Sequence, residues 1–173
     1  MTQNPSEEIN RYQYQYFNLL TQTKENIFYL SEYIQSCETW NWRLNIFLAL
    51  ASSSSIGAWA IWQELKLLWA ILIALSQVIT AIKPLLRGEK RLKFLYPLRR
   101  ELELIYLEME KGWYDVSEGK LTEQEIYESR CEFKAKIEEA IYNNLKSNSL
   151  PKNKLFIERS KIETETYFNN QFS

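Results

Sequence analysis

The chain contains no histidine, and only two cysteines, four glycines and four prolines among its 173 residues. Without histidine, the commonest general base and the commonest zinc ligand are missing. Cys37 and Cys131 lie far apart in sequence. Two cysteines make neither a metal site nor a disulfide framework, so both are expected to be reduced, packed thiols. The four glycines build no phosphate-binding loop: neither G-x-x-x-x-G-K nor G-x-G-x-x-G occurs. Sparse Gly and Pro suit a mostly helical chain. The formal net charge is −1, so no global field recruits nucleic acid or an acidic substrate. Glu101, Glu103, Glu108 and Glu110 alternate with apolar positions, the pattern of a solvated helix face and not of a catalytic pair. The expectation is a non-enzyme, with no catalytic residue, cofactor or metal. The segment from Met1 to Arg11 is polar, and no charged stretch leads into a short apolar run, so no cleavable signal peptide is expected.

What is present is strongly segregated. Leu44 to Trp62 carries no charge and reads LNIFLALASSSSIGAWAIW. After Gln63, Glu64, Leu65 and Lys66, a second uncharged run covers Leu67 to Ile82, LLWAILIALSQVITAI. A spanning helix needs roughly 17–25 mainly apolar residues. The first run meets that length. The second meets it when Lys66 and Lys83 turn their charges outward and lend their stems to the span. A buried helical hairpin in a soluble bundle is the alternative, but soluble helices show a charged stripe and these runs do not. Trp40, Trp42, Trp59, Trp62 and Trp69 cluster at the run ends, as interfacial aromatic belts do. Arg43 precedes the first run, and Lys83, Arg87, Lys90, Arg91, Lys93, Arg99 and Arg100 follow the second. By the positive-inside rule both termini face the cytoplasm. That basic cluster beside a span suits anionic headgroups better than nucleic acid.

The runs carry polar residues on defined faces. Asn45, Ala49, Ser52, Ser55 and Trp59 share one face, with Gly57 nearby, and Ile73, Ser76, Gln77, Thr80 and Pro84 share another. Such a face either packs helices closely in lipid or lines a water-filled path in an oligomer. Before the hairpin, Ile9, Tyr12, Tyr16, Leu19, Thr23, Asn26, Leu30, Tyr33 and Cys37 form a seven-residue seam, with Asn4 or Ser6 as cap. After it, Leu95, Leu98, Leu102, Ile105 and Met109 form a second seam, with Pro84 and Pro97 as kinks or boundaries. These seams belong either to an intramolecular bundle or to an oligomer. Gly112 and Gly119 are expected to flank a turn, and Thr122 with Glu125 to form a capping box. A helix to about Leu145 then has Ile126, Phe133, Ile137, Ala140 and Ile141 as its apolar face, and a short last helix is expected from Leu155 to Phe168.

The order of a long helix, two close uncharged runs, and a helix ending in LEMEKGWYDVSEGKLTEQEIYESR (Leu107 to Arg130) resembles the SLATT families of bacterial conflict systems. The resemblance covers the chain to about Leu145 and rests on an aromatic, a glycine and an acidic helix start. It implies a two-helix effector that oligomerises and breaches the inner membrane when an associated sensor, encoded nearby, is triggered. It carries over no catalytic residue. The expected architecture is therefore an all-α membrane protein: an N-terminal cytoplasmic helix over 1–42, a transmembrane hairpin over 43–83 with spans at 44–62 and 67–83, cytoplasmic helices over 84–145, and a tail over 146–173. The expected partners are the lipid bilayer and further copies of the chain. A membrane anchor recruiting a soluble partner, without pore activity, is the rival expectation.

Overall fold

The structure is a computed structural model. It describes residues 5–61, 66–82, 88–146 and 150–172, with side chains for 11–50, 67, 70, 71, 73–81, 91–146 and 150–171. It is all-helical, with α1 (Pro5–Ile61), α2 (Lys66–Ile82), α3 (Gly88–Ser117), α4 (Glu123–Leu145) and α5 (Lys154–Phe172), and no strand among the described residues. Two compact units result, one from 1–33 with 94–173 and the other from 34–93.

The first unit is a four-helix bundle built on the seams of α1 and α3. Tyr16, Leu20, Thr23, Ile27 and Leu30 of α1 are buried, as are Leu95, Leu98, Leu102, Ile105, Tyr106 and Met109 of α3. The α1 register is shifted from expectation. Tyr16, Thr23 and Leu30 hold their places, but Leu20 and Ile27 are buried while Leu19 is half-buried and Asn26 exposed. Both registers have heptad spacing. The observed one puts isoleucine instead of asparagine into the core, which avoids stranding a polar amide there.

α1 and α3 run antiparallel, with Tyr16 beside Met109 and Lys24 beside Tyr106. α4 lies against both: Tyr12 meets Tyr127, Tyr16 meets Phe133, and Lys136 and Asn144 reach Glu108 and Glu101. α4 is therefore antiparallel to α3. α5 lies antiparallel to α1, with Phe156 against Tyr29 and Tyr33, and Phe168 against Phe17. The tail thus forms a 19-residue helix, longer than expected. Asn153 Oδ1 accepts from the Leu155 amide at its start. Tyr29 ties down the preceding loop by donating to the Pro151 carbonyl. The most buried residues of α5 are Ser160 and Thr164, whose hydroxyls donate to their own helix at Ile157 O and Ser160 O. Apolar periodicity could not reveal a packing stripe with that centre.

The expected turn from Gly112 to Gly119 is mostly helix. α3 continues to Ser117, and the turn begins only after it. Val116 and Trp113 have to reach the cluster around Tyr16 and Ile126, which keeps the chain helical that far. Gly112 has a different task. A Cβ there would lie 2.7 Å from the Tyr16 hydroxyl, which donates to the Met109 carbonyl at 3.0 Å. Gly119, at φ 67°, makes the left-handed stop that ends α3. Pro97 sits inside α3 without ending it, and the flanking Leu95 and Leu98 are buried. The Thr122–Glu125 capping box starts α4 as expected, and the Thr122 backbone amide and hydroxyl, both donating to the Glu125 carboxylate, hold that carboxyl below its usual pKa range. Cys37 is half-buried and Cys131 exposed, so the packed position expected for Cys131 is not found.

In the second unit α1 crosses the expected boundary at 42/43 as one uninterrupted helix. Among the described residues no helix is long and apolar enough to cross a membrane. The span expected at 44–62 falls largely outside the residues whose side chains are described, and the span expected at 67–83 corresponds to α2, with 17 residues.

Gly112→Ala should destabilise the bundle by roughly 1 kcal/mol: overpacking costs about 1–3 and the helix-propensity gain offsets about 1. In a Tyr16→Phe background, which lacks the obstructing hydroxyl, the same change should be neutral or stabilising. Denaturant unfolding of the four chains checks this. An equal cost in both backgrounds would rule out the hydroxyl as the obstacle.

Candidate functional site

Two features of the described residues stand out, one in each unit. In the bundle, Lys24 follows the buried Thr23 on α1 and points its ammonium at three rings. Its Nζ lies 3.9 Å from the Tyr167 ring centre, 4.4 Å from that of Tyr106 and 5.3 Å from that of Phe28. The hydroxyls of Tyr106 and Tyr167 both donate to Glu110 Oε1, at 3.0 and 2.9 Å. Burial lowers the Lys24 pKa, and the carboxylates of Glu110 and Glu103 partly restore it. Burial raises Tyr106, with Tyr167 and Glu110 adding to it, and burial likewise raises Tyr167. An open groove of about 360 Å³ adjoins the cluster, lined by Lys24, Phe28, Ser31, Arg99, Glu103 and Leu107 among others. Arg99 is engaged there by Glu103 at 2.9 Å. One ammonium on three rings and two phenols on one carboxylate clamp α1, α3 and α5 together. Among the described residues no group of His, Cys, Asp and Glu could hold a metal.

The second feature is the surface of α2. Leu67, Ile71, Ile73, Leu75 and Val78 are all exposed, at 76, 52, 40, 50 and 52 %. Of the described α2 side chains, only Ser76 and Ile79 are half-buried. The Ser76 hydroxyl donates to Ile73 O and that of Thr80 to Ser76 O, so both are satisfied within their own helix. Gln77 is exposed, as are Asn45, Trp40, Trp42 and Arg43 on α1. Ser52, Ser55, Gly57, Trp59, Trp62, Trp69, Lys83 and Arg87 lie outside the described side chains.

The seam residues Tyr16, Leu30, Leu95, Leu98, Leu102 and Ile105 are buried within the single chain. Of the two uses left open for these seams, the intramolecular bundle takes them. The Lys24 cluster was missed by sequence reasoning. Two of its pairs, Lys24–Phe28 and Tyr106–Glu110, are legible as i,i+4 neighbours. Tyr167 comes from 57 residues beyond Glu110, and no local pattern points to it.

The buried phenols set the response to alkali. Tyr16 is pushed up to about 12 by burial, against 10.0 for a free phenol, and Tyr106 and Tyr167 are also raised. Each binds its proton more tightly when folded. Their stabilisation is complete below pH 10 and is lost as pH rises through the folded values. Lys24 acts oppositely: its lowered pKa penalises the folded state below that value, and the penalty fades as pH rises toward 10.5. Three phenols outweigh one amine, so the urea midpoint should fall between about pH 10 and 12. Tyr16→Phe should flatten that fall. Equal losses in the two proteins would assign the alkaline sensitivity to other groups.

Compared with protein-family models, curated proteins and solved structures, the chain has no match.

Proposed function

We propose that this chain is a multi-pass membrane effector of a bacterial antiviral system. It inserts α2 and the uncharged part of α1 into the inner membrane, keeps both termini in the cytoplasm, and permeabilises the bilayer as an oligomer when an associated sensor is triggered. The observation that carries the membrane part is the character of α2. It has no charge after Lys66, and apolar side chains are exposed around it. A helix with no charged stripe and apolar side chains over most of its surface belongs in a core or in lipid. Five such side chains left about half exposed forfeit on the order of 5 kcal/mol of burial in water. Lipid supplies that burial. At 17 residues α2 sits at the short end of the roughly 17–25 that span a bilayer, so snorkelling by Lys66 and Lys83 completes the crossing. The exposed Trp40, Trp42 and Arg43 suit an interfacial belt where α1 enters. The part concerning antiviral defence and a triggering sensor rests on the resemblance around Leu107 to Arg130.

A second reading is favoured by one observation. Ser76 and Thr80 satisfy their hydroxyls on their own helix, which requires no water path. On that reading the chain anchors or scaffolds a soluble partner without leak. Expressing the chain with its genomic neighbours and following a potential-sensitive dye separates the two. The effector reading expects loss of membrane potential on triggering, and little loss when Ser76→Ala, Gln77→Leu and Thr80→Val are combined in a chain that still partitions into membranes. A potential that stays intact in the triggered wild type would sink the effector reading and leave the anchor.

A further inference from the structure

With both seams consumed inside the bundle, any assembly of copies has to use another surface, and the outer faces of α3 and α4 are complementary. The face of α3 turned away from its buried seam exposes Leu104 and Leu107, at 55 and 57 %. Arg100 and Lys111 bracket these leucines, are exposed, and form no ion pair among the described residues. The outer face of α4 exposes Cys131 and Ala135, bracketed by Glu128 and Glu139. Glu139 has no ion pair among the described residues, and Glu128 accepts only a local bond from Gln124, at 2.9 Å. The two basic residues are eleven positions apart, and so are the two acidic ones. Eleven residues are about three helical turns, or roughly 16 Å, so each pair lies on one face at the same spacing. Large side chains sit on one helix between the charges where small ones sit on the other, which lets two helices approach.

We propose that the outer face of α3 in one copy docks antiparallel on the outer face of α4 in the next. Arg100 then pairs with Glu139, Lys111 with Glu128, and Leu104 and Leu107 cover Cys131 and Ala135. The contact is heterologous, each copy offering one face of each kind, so it extends from copy to copy. Its direction fits a shared membrane plane. Within one chain α3 and α4 are already antiparallel, as the Glu108–Lys136 and Glu101–Asn144 contacts require. An antiparallel α3–α4 contact between copies therefore leaves the two bundles pointing the same way. That last argument rests on the membrane reading above; the pairing of faces does not.

The test uses two charge-reversed forms of the full chain in mild detergent, Arg100→Glu with Lys111→Glu, and Glu128→Lys with Glu139→Lys. All four positions are exposed, so both forms should keep the helical circular dichroism and melting transition of the wild type. Sedimentation velocity should show wild-type assembly, roughly tenfold weaker association for each reversed form alone, and recovery when the two are mixed. In the mixture an acidic α3 face meets a basic α4 face, and every contact is again complementary. Recovery cannot come from chains that failed to fold. A wild type that stays monomeric, a reversed form that assembles like wild type, or a mixture no better than its components would each overturn the proposal. Assembly and recovery without dye leak would remove permeabilisation and keep the interface. Leak without recovery would remove the interface alone.

Discussion

The bundle depends on the burial of one polar aromatic. Tyr16 is fully enclosed, yet its hydroxyl has to find an acceptor, because an unpaired buried hydroxyl is costly. It finds the Met109 carbonyl across the helix pair. That bond sets how far α1 and α3 slide along each other, and Gly112 lacks the Cβ that would press on the Tyr16 hydroxyl. The same ring lies 6.1 Å from Trp113 and 6.1 Å from Phe133, so one side chain from α1 meets α3 and α4 together. Gln13, one turn earlier, donates to the Val116 carbonyl near the end of α3 and extends the same registration.

The fourth helix is held differently. α5 brings little aliphatic surface, and its centre is serine and threonine. Aromatic contacts hold it near both ends, and the Lys24 ammonium lies between its Tyr167 and the Tyr106 of α3. A desolvated cation over aromatic faces is worth up to about 2 kcal/mol. Glu110 ties both phenols and supplies the negative charge that limits the cost of burying Lys24. The Arg159–Glu32 pair adds a surface contact of modest value. α5 is thus attached by directional contacts more than by area.

The division of labour in the chain follows from where charge is and is not. The bundle helices alternate charged and buried positions and can satisfy themselves in one copy. α2 has no such alternation, and its apolar side chains remain exposed. On the membrane reading proposed above, lipid would cover that surface. The proposed contact between copies joins the basic-flanked leucines of α3 to the acid-flanked small residues of α4. Copies sharing a membrane would need a lateral contact of that kind.

The all-helical class, the capping box at Thr122, the α3 seam and the apolar face of α4 were legible locally. Each is written in residues within a few turns of one another. The α1 register was not, because two heptad patterns overlap on the same helix and only the partner helices choose Ile27 over Asn26. The role of Gly112 was not, because a helix-breaking residue and a residue that admits a neighbour look alike in one dimension. α5 was underestimated for a related reason: hydroxyl-bearing residues bury well once they return their hydrogen bonds to their own backbone, and periodicity counts them as polar. Sequence by itself determined that the chain is helical and where charge is absent, since those are properties of neighbouring residues. Tertiary structure decided which seam is buried, what Tyr167 and Lys24 have to do with each other, and which faces are left open to a second copy. Those depend on residues brought together from far along the chain, 93 positions apart for Tyr16 and Met109, where no local preference reaches.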